Sequence, residues 1–113
     1  MRKFAVLLYP DFSLQEITCL TSALTVWFGE KIDYIASEHK EYLSEEGLRV
    51  VPTKTTAEAR ITDYDCVILP GTINPLPALF DDGLIDFLRS GNNSDILFAA
   101  ISSSPVLLCK AGI

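Results

Sequence analysis

Three turns of this 113-residue sequence carry residue types suited to binding a small polar ligand. Each turn directly follows a short apolar run. In chain order, the turns are Pro10 to Glu16, Pro70-Gly71-Thr72 and Ser102-Ser103-Ser104. If the apolar runs are parallel strands, all three turns lie at the carboxyl edge of one sheet, where open α/β sheets bind ligands. The sequence therefore predicts a ligand site at this edge, formed by the three turns that contain Glu16, Gly71, Thr72, Ser102 and Ser103.

The apolar runs before these turns are predicted to be buried parallel strands. Residues 4–9, 66–69 and 96–101 are apolar along their whole length, which suits strands covered on both faces. A further strand is predicted over Ile32–Ala36, so that the opening of the chain forms a βαβ unit with a right-handed crossover. The pattern predicts an α/β fold with a parallel sheet.

Helices are predicted between these strands. Ser13 is placed to cap a helix that has apolar residues at spacings of three and four and ends at Gly29. Another is predicted around Asp82 to Arg89, and a last one begins with Ser104 as cap and Pro105 in its first turn.

The middle of the chain predicts a small excursion from the parallel sheet. The segments 41–43 and 48–51 flank a glycine-containing loop of hairpin length. A short helix is predicted over Thr55 to Ile61.

Composition excludes several classes of function. Hydrophobic residues make up 49% of the chain, which is too apolar for a disordered protein. The net charge of -6 opposes attraction to phosphate backbones, so we expect no nucleic-acid partner. No apolar stretch approaches the roughly 18 residues needed to cross a bilayer, so we expect no membrane partner.

The cysteines predict a reducing compartment. Cys19, Cys66 and Cys109 are odd in number, widely separated and set among apolar neighbours, which favours buried free thiols and a cytoplasmic location. One histidine and scattered acidic residues give no metal-ligand spacing. We expect neither a metal nor a cofactor.

Three segments together resemble successive signatures of the DJ-1/PfpI superfamily, which is similar to class I glutamine amidotransferases. They are Leu7-Leu8-Tyr9-Pro10-Asp11-Phe12-Ser13-Leu14-Gln15-Glu16, then Asp63 to Gly71, and Ala99 to Gly112. The resemblance extends over nearly the whole chain. It implies a flavodoxin-like sandwich, a pocket at the strand ends and, frequently, a homodimer.

The resemblance also implies roles for the site residues. Ser102 stands where the family usually has a reactive cysteine in a strained strand-to-helix turn. Glu16 matches the acidic residue that approaches that side chain, although Ser13-x-x-Glu16 also reads as a capping box. Gly71 matches a backbone oxyanion donor, and Thr72 replaces a frequent second glycine.

A catalytic partner for Ser102 is missing from the pattern. A serine hydroxyl is a weak acid that needs a base, and the single histidine, His39, lies in a polar segment predicted to be at the surface away from the site. Family domains continue past the last helix with further strands and a partner histidine. We therefore expect residues 1–113 to form one shortened domain that lacks the usual C-terminal part.

Three functions remain open at this point. The first is a binding domain with weak or no catalysis. The second is a hydrolase or lyase resembling the family's protease-like or amidase-like members, isonitrile hydratases or glyoxalases. The third is a stress-response or regulatory module, although the sequence has no DNA-binding segment. A homodimer is expected for each of these functions. Both faces of the apolar sheet must be covered, and the few predicted helices leave part of this apolar surface exposed.

Overall fold

The centre of the fold is a five-stranded sheet in which all neighbouring strands are parallel. The computed structural model describes residues 2–113. Its strands are β1 Lys3–Leu7, β2 Lys31–Ala36, β3 Tyr42–Leu43, β4 Arg49–Val50, β5 Lys54–Thr55, β6 Cys66–Leu69 and β7 Leu97–Ala100. The sheet order is β5-β2-β1-β6-β7, while β3 and β4 form a separate antiparallel hairpin. The predicted parallel α/β fold and the hairpin are confirmed, and the four predicted parallel strands correspond to β1, β2, β6 and β7.

The two central apolar strands form the core. Ala5, Val6 and Leu7 in β1 are fully buried, and every residue of β6 is buried. The third apolar run behaves differently because β7 lies at the edge of the sheet. Leu97 is 66% exposed, and the rest of β7 is only partly buried. Apolar sequence alone therefore did not distinguish a central strand from an edge strand.

Four α-helices and two other helical turns accompany the sheet. The helices are α1 Thr18–Ser22, α2 Leu76–Leu79, α3 Asp82–Arg89 and α4 Pro105–Ala111, with a π-helical segment over Ala23–Trp27 and a 3-10 turn over Ile61–Asp63. Helix α3 matches its predicted bounds, and Asp81 caps it by accepting the amide hydrogen of Leu84. Helix α4 begins at Pro105 as predicted. Within residues 2–113, no helix is both long and apolar enough to cross a membrane.

The predicted start of the first helix is wrong. Ser13 does not cap it: its amide donates to the carbonyl of Gly71, and its buried hydroxyl has no hydrogen-bond partner among the described residues. The helix begins only at Thr18, because the preceding loop pairs with the loop that follows β6. Neither α1 nor its π-helical continuation contains a buried residue, and Phe28 is 73% exposed. Gly29 ends the helical segment as predicted, with a φ of +66°.

The helix predicted over Thr55 to Ile61 is also wrong. Lys54 and Thr55 form β5, which pairs in parallel with the end of β2. The turn after β5 is closed by Glu58, whose carboxylate accepts hydrogen bonds from the amide and hydroxyl of Thr55. Thr55 is β-branched, which suits a strand, and the hydrogen bond of its hydroxyl to Glu58 favours a turn over a helix.

Two of the three cysteines depart from the predicted burial. All three thiols are free, and Cys66 is buried in β6. Cys19 in α1 and Cys109 in α4 are exposed.

Candidate functional site

Gly71 lies at the point where the three predicted turns meet. A Cβ atom added at this glycine would lie 2.3 Å from Glu16 Oε1 and 2.9 Å from Ser102 Cβ. Only a residue without a side chain fits between these two neighbours. The structure thus brings Glu16, Gly71 and Ser102 together at the carboxyl edge of the sheet, as the sequence pattern predicts.

Glu16 is tied to the Gly71 backbone. Its Oε1 accepts the amide hydrogen of Gly71 at 3.1 Å, and in return the Gly71 carbonyl accepts the amide of Ser13 at 2.7 Å. The predicted Ser13–Glu16 capping box does not form, since the helix cap is Ile17. The carboxylate of Glu16 therefore serves the cluster rather than the helix end.

Ser102 occupies an unusual backbone conformation between β7 and α4. Its φ is +59°, in the left-handed region that costs a residue with a side chain roughly 1–2 kcal/mol. The residue is exposed, and its hydroxyl makes no hydrogen bond to the other described residues. The amides of Ser102 and Ser103 are likewise without an acceptor in that part of the chain. Hydrogen-bond donors at this turn are therefore available to a ligand.

Thr72 and Ser103 form a reciprocal pair beside the cluster. The hydroxyl of Ser103 accepts the Thr72 amide hydrogen at 3.0 Å and donates to the Thr72 carbonyl at 2.8 Å. The Thr72 hydroxyl points elsewhere, within 2.9 Å of the Pro10 carbonyl. As a result, the amides of both Gly71 and Thr72 are already occupied by side chains.

Two buried hydroxyls outside the predicted site hold the turns in place, and one of them is on Ser104, which was predicted only as a helix cap and makes no side-chain cap hydrogen bond. Tyr9, at the end of the first apolar run, donates from its phenol to the Pro70 carbonyl at 2.5 Å. Burial, and then the negative charge of Glu16, raise the pKa of Tyr9 far above its ordinary value, so this hydroxyl stays a donor. Ser104 Oγ lies 2.8 Å from the Leu69 carbonyl and fixes the start of α4 on β6. In the sequence, only the positions of Tyr9 and Ser104 next to the turns indicated that their hydroxyls could take part in the site.

The β3–β4 hairpin supports the loop that carries Glu16. The carboxylate of Glu46 accepts the amide hydrogens of Leu14 and Gln15, at 3.1 and 2.8 Å. These bonds, with the Gln15 contribution the largest, lower the pKa of Glu46. The glutamate belongs to a separate segment of sequence, so no local pattern indicated the contact.

His39 is not part of the cluster. Its Nε2 lies 2.7 Å from Glu58 Oε1 at an exposed position, which confirms the predicted surface placement. His39 follows β2 and Ser102 follows β7, so two intervening strands separate the strand ends by about 14 Å. The cluster consequently has a carboxylate and hydroxyls but no imidazole base. Among residues 2–113, no group of three or more potential ligand side chains is arranged to hold a metal ion.

The family model described as the DJ-1/PfpI family matches residues 2–113. The chain belongs to the DJ-1/PfpI family. A curated relative, protein dj-1beta of Drosophila melanogaster, is 31% identical over 67 residues, covering 58% of this chain and 36% of its own length. An uncharacterised protein of Methanocaldococcus jannaschii, MJ0967, is 28% identical over 86 residues, covering 75% of this chain and 42% of its own length.

Solved structures of DJ-1/PfpI proteins share the same fold. The DJ-1 superfamily protein Atu0886 of Agrobacterium tumefaciens superposes with a TM-score of 0.85 at 23% identity, covering 99% of this chain and 59% of the other. At this identity, the likeness concerns the fold alone. This DJ-1/PfpI chain spans less than half the length of the two curated relatives that it matches. The parallel sheet and its likeness to this solved structure confirm the predicted flavodoxin-like α/β fold.

Proposed function

We propose that this DJ-1/PfpI domain binds a small polar molecule at the carboxyl edge of the sheet and has weak or no covalent catalysis in this form. The proposed site comprises Glu16, Gly71, Thr72, Ser102 and Ser103. The observation that carries the proposal is the occupation of the Gly71 and Thr72 amides by Glu16 and Ser103. An oxyanion hole needs free, pre-aimed donors, and these two are already engaged.

The proposed binding role rests on the donors that remain. The Ser102 and Ser103 amides face no acceptor among the described residues, and the Ser102 hydroxyl is exposed beside them. A carbonyl or carboxylate oxygen is the complementary partner for such donors. Such a ligand would sit next to the Glu16 carboxylate, which favours a molecule that also carries a hydroxyl or amine hydrogen.

Turnover by the Ser102→Ala variant tests the catalytic part of the proposal. Esterase, amidase and glyoxalase substrates are assayed at saturating concentration with the unmodified protein and the variant. We expect equal, background-level rates, because no imidazole lies near the hydroxyl and the adjacent Glu16 carboxylate already accepts the Gly71 amide hydrogen. A loss on the order of 100-fold, as expected on removal of a nucleophile's contribution, would contradict the proposal.

Binding is tested separately by nuclear magnetic resonance. Titration with lactate, which carries both a carboxylate and a hydroxyl, is expected to shift the Ser102 and Ser103 amide signals saturably. Glu16→Ala is expected to weaken the response by removing the acceptor for the lactate hydroxyl, whereas the surface variant Glu41→Ala serves as control. Shifts confined to other parts of the chain would count against this site.

The second candidate is a hydrolase or lyase. The observation in its favour is the left-handed Ser102 backbone at +59°, which exposes the hydroxyl at the amino end of α4. Such an enzyme would require a base for Ser102, and the adjacent candidate, the Glu16 carboxylate, already accepts the Gly71 amide hydrogen. The same Ser102→Ala measurement separates the two candidates.

We also propose that the protein is cytoplasmic and forms a homodimer. Three free thiols, two of them exposed, suit a reducing compartment. Exposed apolar residues at the end of the π-helical segment favour association with a second copy.

A further inference from the structure

A second group of side chains with ligand-binding character lies at the amino edge of the sheet, opposite the Ser102 turn. A cavity of about 320 Å³ opens there beside the starts of β1 and β2, and Lys54 of the neighbouring strand β5 also lines it. Its lining residues are Arg2, Lys3, Phe4, Lys31, Asp33 and Lys54. We refer to it as the amino-edge cleft. Its volume is at the lower end of the range for small-molecule sites.

The strand register places three lysines of the cleft on one face of the sheet. Lys3 of β1 is paired with Lys31 of β2, and Lys54 of β5 is paired with Ile35, four residues after Lys31. Residues that are paired, or separated by an even number along a strand, point to the same face. Three ammonium groups from three neighbouring strands are therefore directed to the same side.

The cleft has an excess of positive charge. Its one lining carboxylate, Asp33, lies 3.4 Å from Lys54 Nζ and accepts a hydrogen bond of 2.6 Å from the Tyr64 hydroxyl. Burial opposes ionisation of Asp33, but the Tyr64 hydrogen bond and the charges of Lys54 and Lys3 outweigh it and lower its pKa. This carboxylate is thus already engaged.

The other cations of the cleft have no such partner. Arg2, Lys3 and Lys31 form no ion pair with any of the described residues. Asp65 is nearby, but its Oδ2 accepts the backbone amide hydrogen of Lys3. In a protein with a net charge of -6, a cleft with four cations and one engaged carboxylate is an unusual local arrangement. Unpaired like charges at neighbouring strand positions repel each other, and a bound anion relieves that repulsion.

We propose that the amino-edge cleft binds a small molecule through a phosphate or pyrophosphate group. A phosphate carries up to two negative charges and several acceptor oxygens, which match converging ammonium donors. A simple carboxylate neutralises only one of them. The overall negative charge disfavours a long polyanion, so the ligand is a small one. The proposal is independent of the Ser102 site, which lies at the other end of the strands.

Inorganic pyrophosphate is the probe for this proposal. Amide signals of the whole chain are followed by nuclear magnetic resonance during titration, with inorganic phosphate and acetate in parallel. We expect saturable shifts at Lys3, Lys31 and Lys54 with pyrophosphate, weaker ones with phosphate, and none with acetate at equal ionic strength. Saturable binding of acetate with equal affinity would overturn the assignment of a phosphate site.

Charge-removing variants locate the site. The double substitution Lys3→Gln with Lys31→Gln is expected to weaken pyrophosphate binding by about tenfold or more, since two charged hydrogen bonds are lost. Lys31→Arg should retain binding. Lys40→Gln, which removes a lysine after the carboxyl end of β2, is the matched control and should change affinity less than twofold. The cleft would be refuted as the site if Lys40→Gln weakened pyrophosphate binding as much as the double variant does. A loss of affinity below tenfold in the double variant, or pyrophosphate-induced amide shifts at Ser102 instead of the cleft, would refute it as well.

Discussion

Gly71 and Glu16 fit together so closely that the glycine and the carboxylate define each other's position. The Gly71 amide donates to Glu16 Oε1 at 3.1 Å, and a Cβ on Gly71 would lie 2.3 Å from that same oxygen. The backbone of Gly71 is not in the left-handed region, so the need for glycine is one of space rather than of φ. The contact links the first and second turns of the site.

Gly71→Ala is therefore expected to displace Glu16 and destabilise the fold by about 1–3 kcal/mol, the usual cost of an overpacked site. Urea unfolding measures this change in free energy. Gly83→Ala is the matched control, because its added methyl would meet neighbours only at 3.5 Å and beyond. In helix α3, that substitution should be neutral or slightly stabilising. Equal stability of the two variants would show that Glu16 moves aside freely.

The Ser103–Thr72 pair gives a second prediction about the site. Ser103→Ala removes a hydroxyl that bonds both the amide and the carbonyl of Thr72, so we expect a loss of about 1–3 kcal/mol. Ser102→Ala removes a neighbouring exposed hydroxyl without a partner among the described residues, and it should change the free energy of unfolding by about 0.5 kcal/mol or less. Urea unfolding of both variants makes the comparison. Similar losses would contradict the assigned hydrogen bonds.

Glu46 makes the stability of the site loop depend on pH. Hydrogen bonds from the Gln15 and Leu14 amides lower its pKa below the ordinary value of 4.5. A lowered folded-state pKa stabilises the fold above the unfolded-state pKa, and this contribution is lost as pH falls through the folded-state value. Glu46→Gln should therefore be less stable than the unmodified protein at neutral pH, with the difference shrinking below about pH 4.5.

Urea unfolding at pH 7 and at successive acidic values tests this dependence. Glu41→Gln is the control, since the Glu41 carboxylate lies 3.5 Å from the Arg49 guanidinium in an exposed ion pair. Such pairs contribute little. A difference between the Glu46 variant and the unmodified protein that stays constant across the pH range would show that the carboxylate is not the cause.

The sequence was most informative where one local rule decided the outcome. The apolar runs of β1 and β6 predicted buried parallel strands, and Pro105 predicted the start of α4. Prediction failed where distant segments compete for the same backbone groups. Ser13 has the residue type of a helix cap, but its amide bonds the Gly71 carbonyl, 58 positions along the chain.

The part of the candidate site that was predictable from the sequence is the meeting of its turns. The topology of parallel strands brings their following turns to one edge, so Glu16, Gly71 and Ser102 meet as expected. The contributions of Glu46 and of the Ser103 hydroxyl depend on side-chain directions in three dimensions. No spacing rule relates a hairpin tip to the loop that it caps. Likewise, the cleft lysines lie on three strands whose register appears only in the folded sheet.

The end of the π-helical segment carries three consecutive exposed apolar residues. Val26, Trp27 and Phe28 are each more than 70% exposed, and Trp27, the single tryptophan of the chain, is 81% exposed. Large exposed aromatic side chains are the residues that contribute most to protein interfaces. We therefore expect this surface to form part of the proposed homodimer contact.

Association should be visible both in mass and in tryptophan fluorescence. Light scattering coupled to size exclusion at micromolar concentration is expected to report a dimer, and the Trp27 emission should shift to shorter wavelength as dilute protein is concentrated, because the indole leaves water. Trp27→Ser should weaken the dimer on the order of tenfold or more. Leu48→Ser, at an exposed position of the β3–β4 hairpin, is the control and should leave the mass unchanged. A monomer that binds no hydrophobic dye would instead show that the chain needs no second copy.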